Sequence, residues 1–334
     1  MLDIIIPTYK NPEGLRRTLR SIDYITSEIT VTVISDGDHM ETDYHPIFEE
    51  FPFANLWVSE SNRGPGATRE LGLSATTEPY VTFIDTDDYF FPQMLSKVVK
   101  EIRNNPNIYE FRYCYTKKDG VCAASKNNHM HSIIYKRSFL EQYDAHFCCN
   151  PIGSYANEDI GFNRYLRMIL RDLEAKTKKN YIKYYNTSLV YWTDDDKNSL
   201  TRNNDHIFTY TRHSMGLAEN EIMAIEKAEK FHVNHQLIVK EVGTIMSTLY
   251  TIFLKTLYEK PKYASNPWQG AKFYYDKIYS KYEKEALVYS QQSFSPKIRE
   301  LREKYKGKQL KTQINITRFV NDLKNFSDLP EHYI

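Results

Sequence analysis

The sequence predicts an α/β protein: a parallel, ligand-binding sheet first, a mixed strand-and-helix stretch next, and a helical C-terminal region. Three observations predict it. Strand and helix signals alternate from residue 2 to about residue 105. The strand-like runs there are continuously apolar, as in strands covered on both faces. From about residue 205 the chain is charged, helical in pattern and poor in turn signals. The expected divisions are 1–105 and 106–204, as two halves of one domain, and 205–334.

Each element follows from its residues. LDIIIP (2–7) is a short apolar run. Asn11 and Pro12 stand as N-cap and first helical residue before a helix with Leu15, Leu19 and Ile22 on one side. ITVTVIS (29–35) is β-branched, DYHPIFEEF reads as a short helix and ANLWVSE as a third strand. GPGATRELGLSAT places Pro65 near a helix N-terminus. PYVTFID is the fourth strand, and FPQMLSKVVKEIRNN a helix with Met94, Val98, Val99 and Ile102 on one side. In such sheets ligands bind at the carboxyl ends of the strands. Beyond 105, IYEFRYCYT, HSIIYKR and YIKYYNTSLVYW read as strands, with the helix NEDIGFNRYLRMILRDLEA before the last.

Composition narrows the class. With 26% charged and 41% apolar residues, the chain is a globular protein and not a disordered one. Its 27 tyrosines suit half-buried positions, packing being their commoner use. Met1 leads straight into LDIIIP, so no signal peptide is expected. The most apolar later window, 237–254, carries Lys240 and Glu241, and its uncharged part is too short to span a bilayer. No transmembrane segment is expected. Cys114, Cys122, Cys148 and Cys149 lack metal-ligand spacing and are expected to be reduced thiols in a cytoplasmic protein. The net charge of +1 hides an asymmetry: residues 251–334 hold 16 basic and 9 acidic side chains, leaving the first 250 net acidic.

The chemistry concentrates at FIDTDDYF (83–90), where an apolar strand ends in Asp85, Asp87 and Asp88. A plain turn needs one Asp. Residues i and i+2 of an extended strand share a face, so Asp85 and Asp87 are expected to reach one hard cation, Mn²⁺ or Mg²⁺, which completes its shell with substrate phosphates. Asp88 then points away, as a structural residue or a cap for the helix near Pro92. An isolated Asp-x-Asp is more often only a capped strand end. An EF-hand is excluded because Phe90 stands where its sixth-position Gly is required. The neighbouring strands shift the weight. VISDGD ends the second with Asp36, and SNRGPGATRELG follows the third with Asn62, Gly64 and Arg69. Three strands thus end in polar residues on one rim.

These motifs resemble the nucleotide-sugar site of inverting family 2 glycosyltransferases with the GT-A fold. That fold is a Rossmann-like nucleotide-sugar-binding sheet with an acceptor subdomain. IIIPTYKN looks like the family's opening strand and loop, which implies that Pro7, Thr8 and Tyr9 lie against the nucleotide. VISDGD is similar to the family's hydrophobic-Asp-Asp-Gly-Ser; Ser35 replaces the first Asp, and Asp36 keeps the position implied to contact a uracil-type base. NRGPGATRE resembles Asn-x-Gly-x-x-x-Ala-Arg-Asn, keeping Asn62, Gly64 and Arg69 and departing at Thr68 and Glu70. In DTDD the resemblance implies Asp85 and Thr86 beside the donor and Asp87 as the stronger metal ligand. YANEDIGFNRYL (155–166) matches the Glu-Asp that opens a helix, implying Asp159 as general base and Glu158 as the neighbour that raises its pKa. By itself Glu158-Asp159 also reads as a favourable acidic first turn behind an Asn157 N-cap.

The resemblance implies metal-dependent transfer of a sugar from a nucleotide-diphosphate donor, a UDP-sugar, to an acceptor hydroxyl. Base rate favours an envelope glycan or polymer as acceptor. The basic stretch KIRELREKYKGKQLK (297–311) adds an anionic polymer, a membrane surface or DNA as contacts, against the plainer reading of a solvated helix face. Hydroxymethylated pyrimidines of phage DNA are the alternative acceptor, and a non-catalytic sugar-nucleotide-binding module is the alternative to an enzyme. A dinucleotide-binding fingerprint is excluded, since Gly64 and Gly66 are followed by Arg69 and not by a third Gly. Weaker candidates are His131, on the acceptor side, and Asp196, in TDDDKNSLT where relatives place a third metal ligand. Arg202 is a third, in the stretch expected to cover the diphosphate.

Overall fold

β1 (Leu2–Thr8) is buried on both faces: Leu2, Ile4 and Ile6 on one, Ile5 on the other. Such a strand belongs in the middle of a sheet. The computed structural model, which describes residues 1–124, 130–193, 213–304 (side chains 293–304 excepted) and 315–333, places it there. β1 pairs in parallel with β2 (Ile29–Ser35) and β4 (Tyr80–Phe83), and β2 pairs in parallel with β3 (Ala54–Val58). α1 (Pro12–Arg20), α2 (His45–Glu50) and α4 (Met94–Asn104) cover one face, through Leu15, Leu19, Ile47, Met94, Val98 and Ile102. α3 (Gly64–Ala75) covers the other, where Gly72 stands against Ile5 and Ile34.

Beyond β4 the sheet turns mixed. Its order is β3-β2-β1-β4-β8-β6-β9-β5, with β7 (Gly120–Cys122) paired to β6. β8 (Ile133–Lys136) runs antiparallel to both β4 and β6 (Glu110–Lys117). β9 (Ile182–Tyr191) runs parallel to β6, and β5 (Tyr89–Phe90) antiparallel to β9. The short α5 (Arg137–Gln142) follows β8. Cross-strand rings explain part of the tyrosine content. Tyr113 stacks on Tyr185 with centroids 4.4 Å apart, and Tyr89 stacks on Tyr191 at 5.0 Å.

By its contacts the chain divides into two compact units. One comprises Met1–Ser154 with the described residues of Leu173–Ser199, the other Tyr155–Asp172 with those of Leu200–Ile334. This differs from the three-part expectation, because most of α6 (Glu158–Thr177) groups with the C-terminal helices. Those helices are α7 (His213–Lys230), α8 (His235–Glu259), α9 (Ser265–Tyr274), α10 (Ser280–Lys304) and α11 (Ile316–Asn325). α8 is their core element, with Val239, Val242, Ile245, Met246, Leu249 and Phe253 fully buried. By length and composition α8 is also apolar enough to cross a membrane, but 67% of its apolar window is buried inside the protein. A buried charge cluster joins three helices: Arg164 Nε lies 2.7 Å from Glu221, and the Arg164 guanidinium also meets Glu241.

Candidate active site

The acidic motif is a turn and not the end of a strand. β4 stops at Phe83, Ile84 N–H still bonds the Ile5 carbonyl at 3.1 Å, and then Asp88 N–H closes back onto the Asp85 carbonyl at 3.0 Å. The i/i+2 argument that paired Asp85 with Asp87 therefore does not apply. The turn sits in a fitted seat on α1. Thr18 Oγ1 donates to the Asp88 carbonyl at 2.7 Å and Arg17 to the Asp87 carbonyl at 2.6 Å. Phe90 N–H bonds Ser21 Oγ at 3.0 Å. Gly14 makes the seat possible, since a Cβ there would lie 2.3 Å from the Thr86 carbonyl oxygen. From the chain just after β9, Thr193 N–H bonds Asp88 Oδ1 at 2.9 Å, and its hydroxyl donates to the Asp87 carbonyl.

Asp88 is therefore not the cap of α4. That helix starts at Met94 behind Gln93, a left-handed residue (φ 62°) whose N–H bonds Asp23 at 2.6 Å. Asp88 is 1% exposed, and burial, reinforced by the Asp87 and Asp85 charges, pushes its carboxyl well above the usual range against the Thr193 hydrogen bonds. Asp85 is 41% exposed at its side chain, and its Oδ1 lies 2.5 Å from Nη2 of the buried Arg69. His131 comes to the same place: its Nδ1 is 3.8 Å from Asp88 Oδ2, and its ring meets Tyr115 edge-on. Ligating atoms of Asp85, Asp88 and His131 all lie within 4.8 Å of one another. Asp87, half-buried, is not in that group.

The neighbouring rim is interlocked. Asp36 accepts the N–H groups of Arg63 at 2.8 Å and Gly64 at 2.9 Å, so it closes the N-terminus of α3. Burial raises its pKa, opposed by those bonds and one from Thr68. Gly37 (φ 78°) lets Ser61 and Asn62 pass so near that a Cβ would lie 2.3 Å from the Asn62 nitrogen. Asp38, not singled out from the sequence, is fully buried and accepts from Lys10 N–H, Ser35 Oγ and Tyr44 Oη, each at 2.6 Å. Burial pushes its carboxyl up, but these hydrogen bonds outweigh it and the net shift is downward. Thr8 is buried, its Oγ1 3.3 Å from Tyr44 Oη; Tyr9 is 44% exposed. Pro7 is half-buried within β1, Thr86 is 8% exposed and Asn62 is exposed. Glu70, a departure from the family pattern, accepts Phe147 N–H at 3.0 Å and meets His146 at 2.6 Å.

Glu158 and Asp159 open α6 in the other unit, Glu158 7% exposed and Asp159 half-buried. Asn157 does precede the helix, and its carbonyl accepts Ile160 N–H at 3.2 Å and Gly161 N–H at 3.3 Å. Asp196 and Arg202 lie outside the described residues, as do the side chains of the basic stretch 297–311.

Residues 3–161 match the model of glycosyl transferase family 2. A Haemophilus influenzae protein described as an uncharacterized glycosyltransferase is 25% identical over 259 residues, covering 72% of this chain and 83% of its own. The Campylobacter jejuni GalNAc(5)-diNAcBac-PP-undecaprenol beta-1,3-glucosyltransferase is 24% identical over 146 residues, 42% of this chain and 47% of its own. Among solved structures, residues 1–349 of S. aureus TarS in complex with UDP superpose with a TM-score of 0.59 at 16% identity, covering 91% of both chains. A further structure of S. aureus TarS gives 0.62 at 15% identity, covering 92% of this chain and 56% of that one. The fold is GT-A-like, residues 3–161 are a glycosyltransferase family 2 domain, and the protein is a glycosyltransferase.

Proposed function

We propose that this glycosyltransferase works in the cytoplasm and moves a sugar, with inversion, from a UDP-sugar to a hydroxyl of an envelope glycan or polymer, assisted by Mn²⁺ or Mg²⁺. The observation that carries the reading is the anchored acidic turn at 85–88, at the carboxyl end of β4, with Arg69 on Asp85. The donor choice draws support from TarS, solved in complex with UDP and, in another structure, with UDP-GlcNAc. The acceptor class draws support from the Campylobacter relative's name. The basic stretch behind a DNA acceptor has no described side chains, so no observation favours that reading.

Carboxylate oxygens suit a hard divalent cation. Asp88 is sealed from solvent and already accepts from Thr193, whereas Mn²⁺ and Mg²⁺ keep waters and substrate phosphates in their shell. Asp85 and Asp87, both more open, would therefore hold the ion, with Asp88 and His131 beside Asp85. When bound, the ion neutralises charge on the leaving diphosphate. The chain's own groups do the rest. Arg69 orients Asp85 and keeps a fixed positive charge at the turn. Tyr9, Thr8, Pro7 and Asp36 border the nucleotide, with Asn62, Gly64 and Thr86 along the rim. Asp159 takes the proton of the attacking hydroxyl, and Glu158 beside it favours proton uptake. The test is hydrolysis of a UDP-sugar panel by purified protein with Mn²⁺. Turnover that is lost in Asp87→Ala and in Asp159→Asn is expected. Neither turnover nor UDP binding by the wild type would end the proposal. Envelope polymers and hydroxymethylcytosine DNA, offered as acceptors to the same protein, separate the two acceptor classes.

A further inference from the structure

The family match ends at residue 161, yet the turn that launches Glu158-Asp159 is held by residues far beyond it. Asn220 on α7 is fully buried, and its Nδ2 donates to the Ala156 carbonyl at 2.9 Å. Asn157 Nδ2 donates to the His213 carbonyl at 3.2 Å and lies 3.3 Å from His213 Nδ1. His213 and Asn220 are seven residues apart, two helical turns, so α7 meets this turn along one face. The approach is close: a Cβ on Gly161 would lie 2.7 Å from Asn220 Cβ and 2.8 Å from its carbonyl oxygen. Asn157 has φ 62°, a left-handed conformation that Asn adopts more readily than most residues with a side chain. The side chain that holds Asn157 in place and the one that holds Ala156 both involve α7.

We propose that Asn220 and His213 are positioning residues for the acidic pair, and that α7 makes the C-terminal helical region a working part of the catalytic apparatus. The inference rests on the reading of Asp159 as the base. The physical argument is one of aim. A general base acts only within hydrogen-bond reach of its proton, and a misplacement of about 1 Å costs on the order of 100-fold in rate. Two residues upstream of Asp159, a left-handed residue, Asn157, sets the direction of the first helical turn. Asn220 fixes the carbonyl before that turn, and Asn157 is tied to the first residue of α7. Asp85, Arg69 and Asp36 belong to the other compact unit, so donor binding and base aim are separable readouts.

The experiment uses the full-length protein and the UDP-sugar that gives the fastest hydrolysis with Mn²⁺. Asn220→Leu removes the donor to Ala156. Asn157→Gly keeps the left-handed backbone accessible but removes the tie to His213, and it carries the test if Asn220→Leu does not fold. In the folded variants kcat is expected to fall at least 10-fold while the UDP dissociation constant, by calorimetry, stays within twofold. Wild-type kcat in both variants, with turnover lost in Asp159→Asn, would overturn the positioning role and leave the base in place. A parallel fall in kcat and UDP affinity would also overturn it, since that is the mark of general damage. Turnover retained in Asp159→Asn would instead remove the base reading on which the inference stands.

Discussion

Gly14→Ala tests the seat of the acidic turn directly. The added Cβ would lie 2.3 Å from the Thr86 carbonyl oxygen, 2.4 Å from Asn11 Nδ2 and 2.7 Å from Asn11 Cγ. Carbon and carbonyl oxygen do not approach closer than about 3.3 Å, so roughly 1 Å of relief is needed. The Asn11 side chain can swing away, but it caps α1 by accepting Gly14 N–H at 3.0 Å, and losing a cap costs about 1 kcal/mol. The Thr86 carbonyl is backbone, so the 85–88 turn or α1 has to shift, an overpacking cost of about 1–3 kcal/mol. Alanine returns up to about 1 kcal/mol of helix propensity. The net is about 1–3 kcal/mol, a fall in Tm of about 2–12 °C for a unit of this size. The functional loss is larger, because the displaced element carries Asp85 and Asp87. Donor turnover with Mn²⁺ is expected to drop on the order of 100-fold, the effect of a 1 Å misplacement. Thermal melting and UDP-sugar hydrolysis, side by side, are the assays. A variant that melts within a degree of wild type and hydrolyses the donor at the wild-type rate would refute the close seat of Thr86 on α1.

Three further outcomes are expected. Arg69→Met removes the cation 2.5 Å from Asp85, but that carboxylate is 41% exposed and solvent screens it, so stability should fall by only about 1 kcal/mol, while turnover falls more than 10-fold; melting and kinetics on one preparation separate the two. Arg164→Met takes its ion-pair partner from the fully buried Glu221, leaving only the charge of Arg167, and should cost about 3–5 kcal/mol in chemical denaturation; a cost under 1 kcal/mol would mean that the cluster is dispensable. His213 has its pKa held below the usual 6.5 by burial and by the Lys255 charge, so the folded state binds that proton less readily than the unfolded chain. Its neutral form supports stability fully above about pH 6.5, and that support is lost as pH falls through the folded-state pKa. Melts from pH 7.5 to 5.5 should therefore decline more steeply for wild type than for His213→Gln.

The strands and helices of the first hundred residues were legible because burial on both faces leaves continuous apolar runs and because Asn11-Pro12 announces a helix start. β5 and β7, two and three residues long, carry no period to read. The acidic cluster was legible as a cluster, but not as a shape. Alternation holds only while the chain is extended, and it ends at Phe83, two residues before the first of the three carboxylates. What fixes the turn is distant in sequence: Thr18, Arg17 and Gly14 on one side, Thr193 more than a hundred residues away on the other. No local pattern encodes such contacts, and the same holds for Asn220 under Ala156.

The departures from the family pattern are also resolved by contact and not by position. Ser35 stands where the family has a carboxylate, yet a carboxylate is still present at that strand end. Asp38 reaches back to the Ser35 hydroxyl and also gathers Lys10 N–H and Tyr44 Oη. Asp38 thus ties together the ends of β1 and β2, while Asp36, the residue the pattern assigns to the base, is committed through both oxygens to the start of α3. A carboxylate offers about four acceptor positions, so one remains on Asp36 after its two backbone bonds and the bond from Thr68. Asp36 can therefore brace α3 and still accept from a base N–H. On the proposed reading Asp36 serves recognition and rigidity at once, so substitutions there should change donor affinity and folding together, whereas Asn157→Gly should lower kcat with UDP affinity kept.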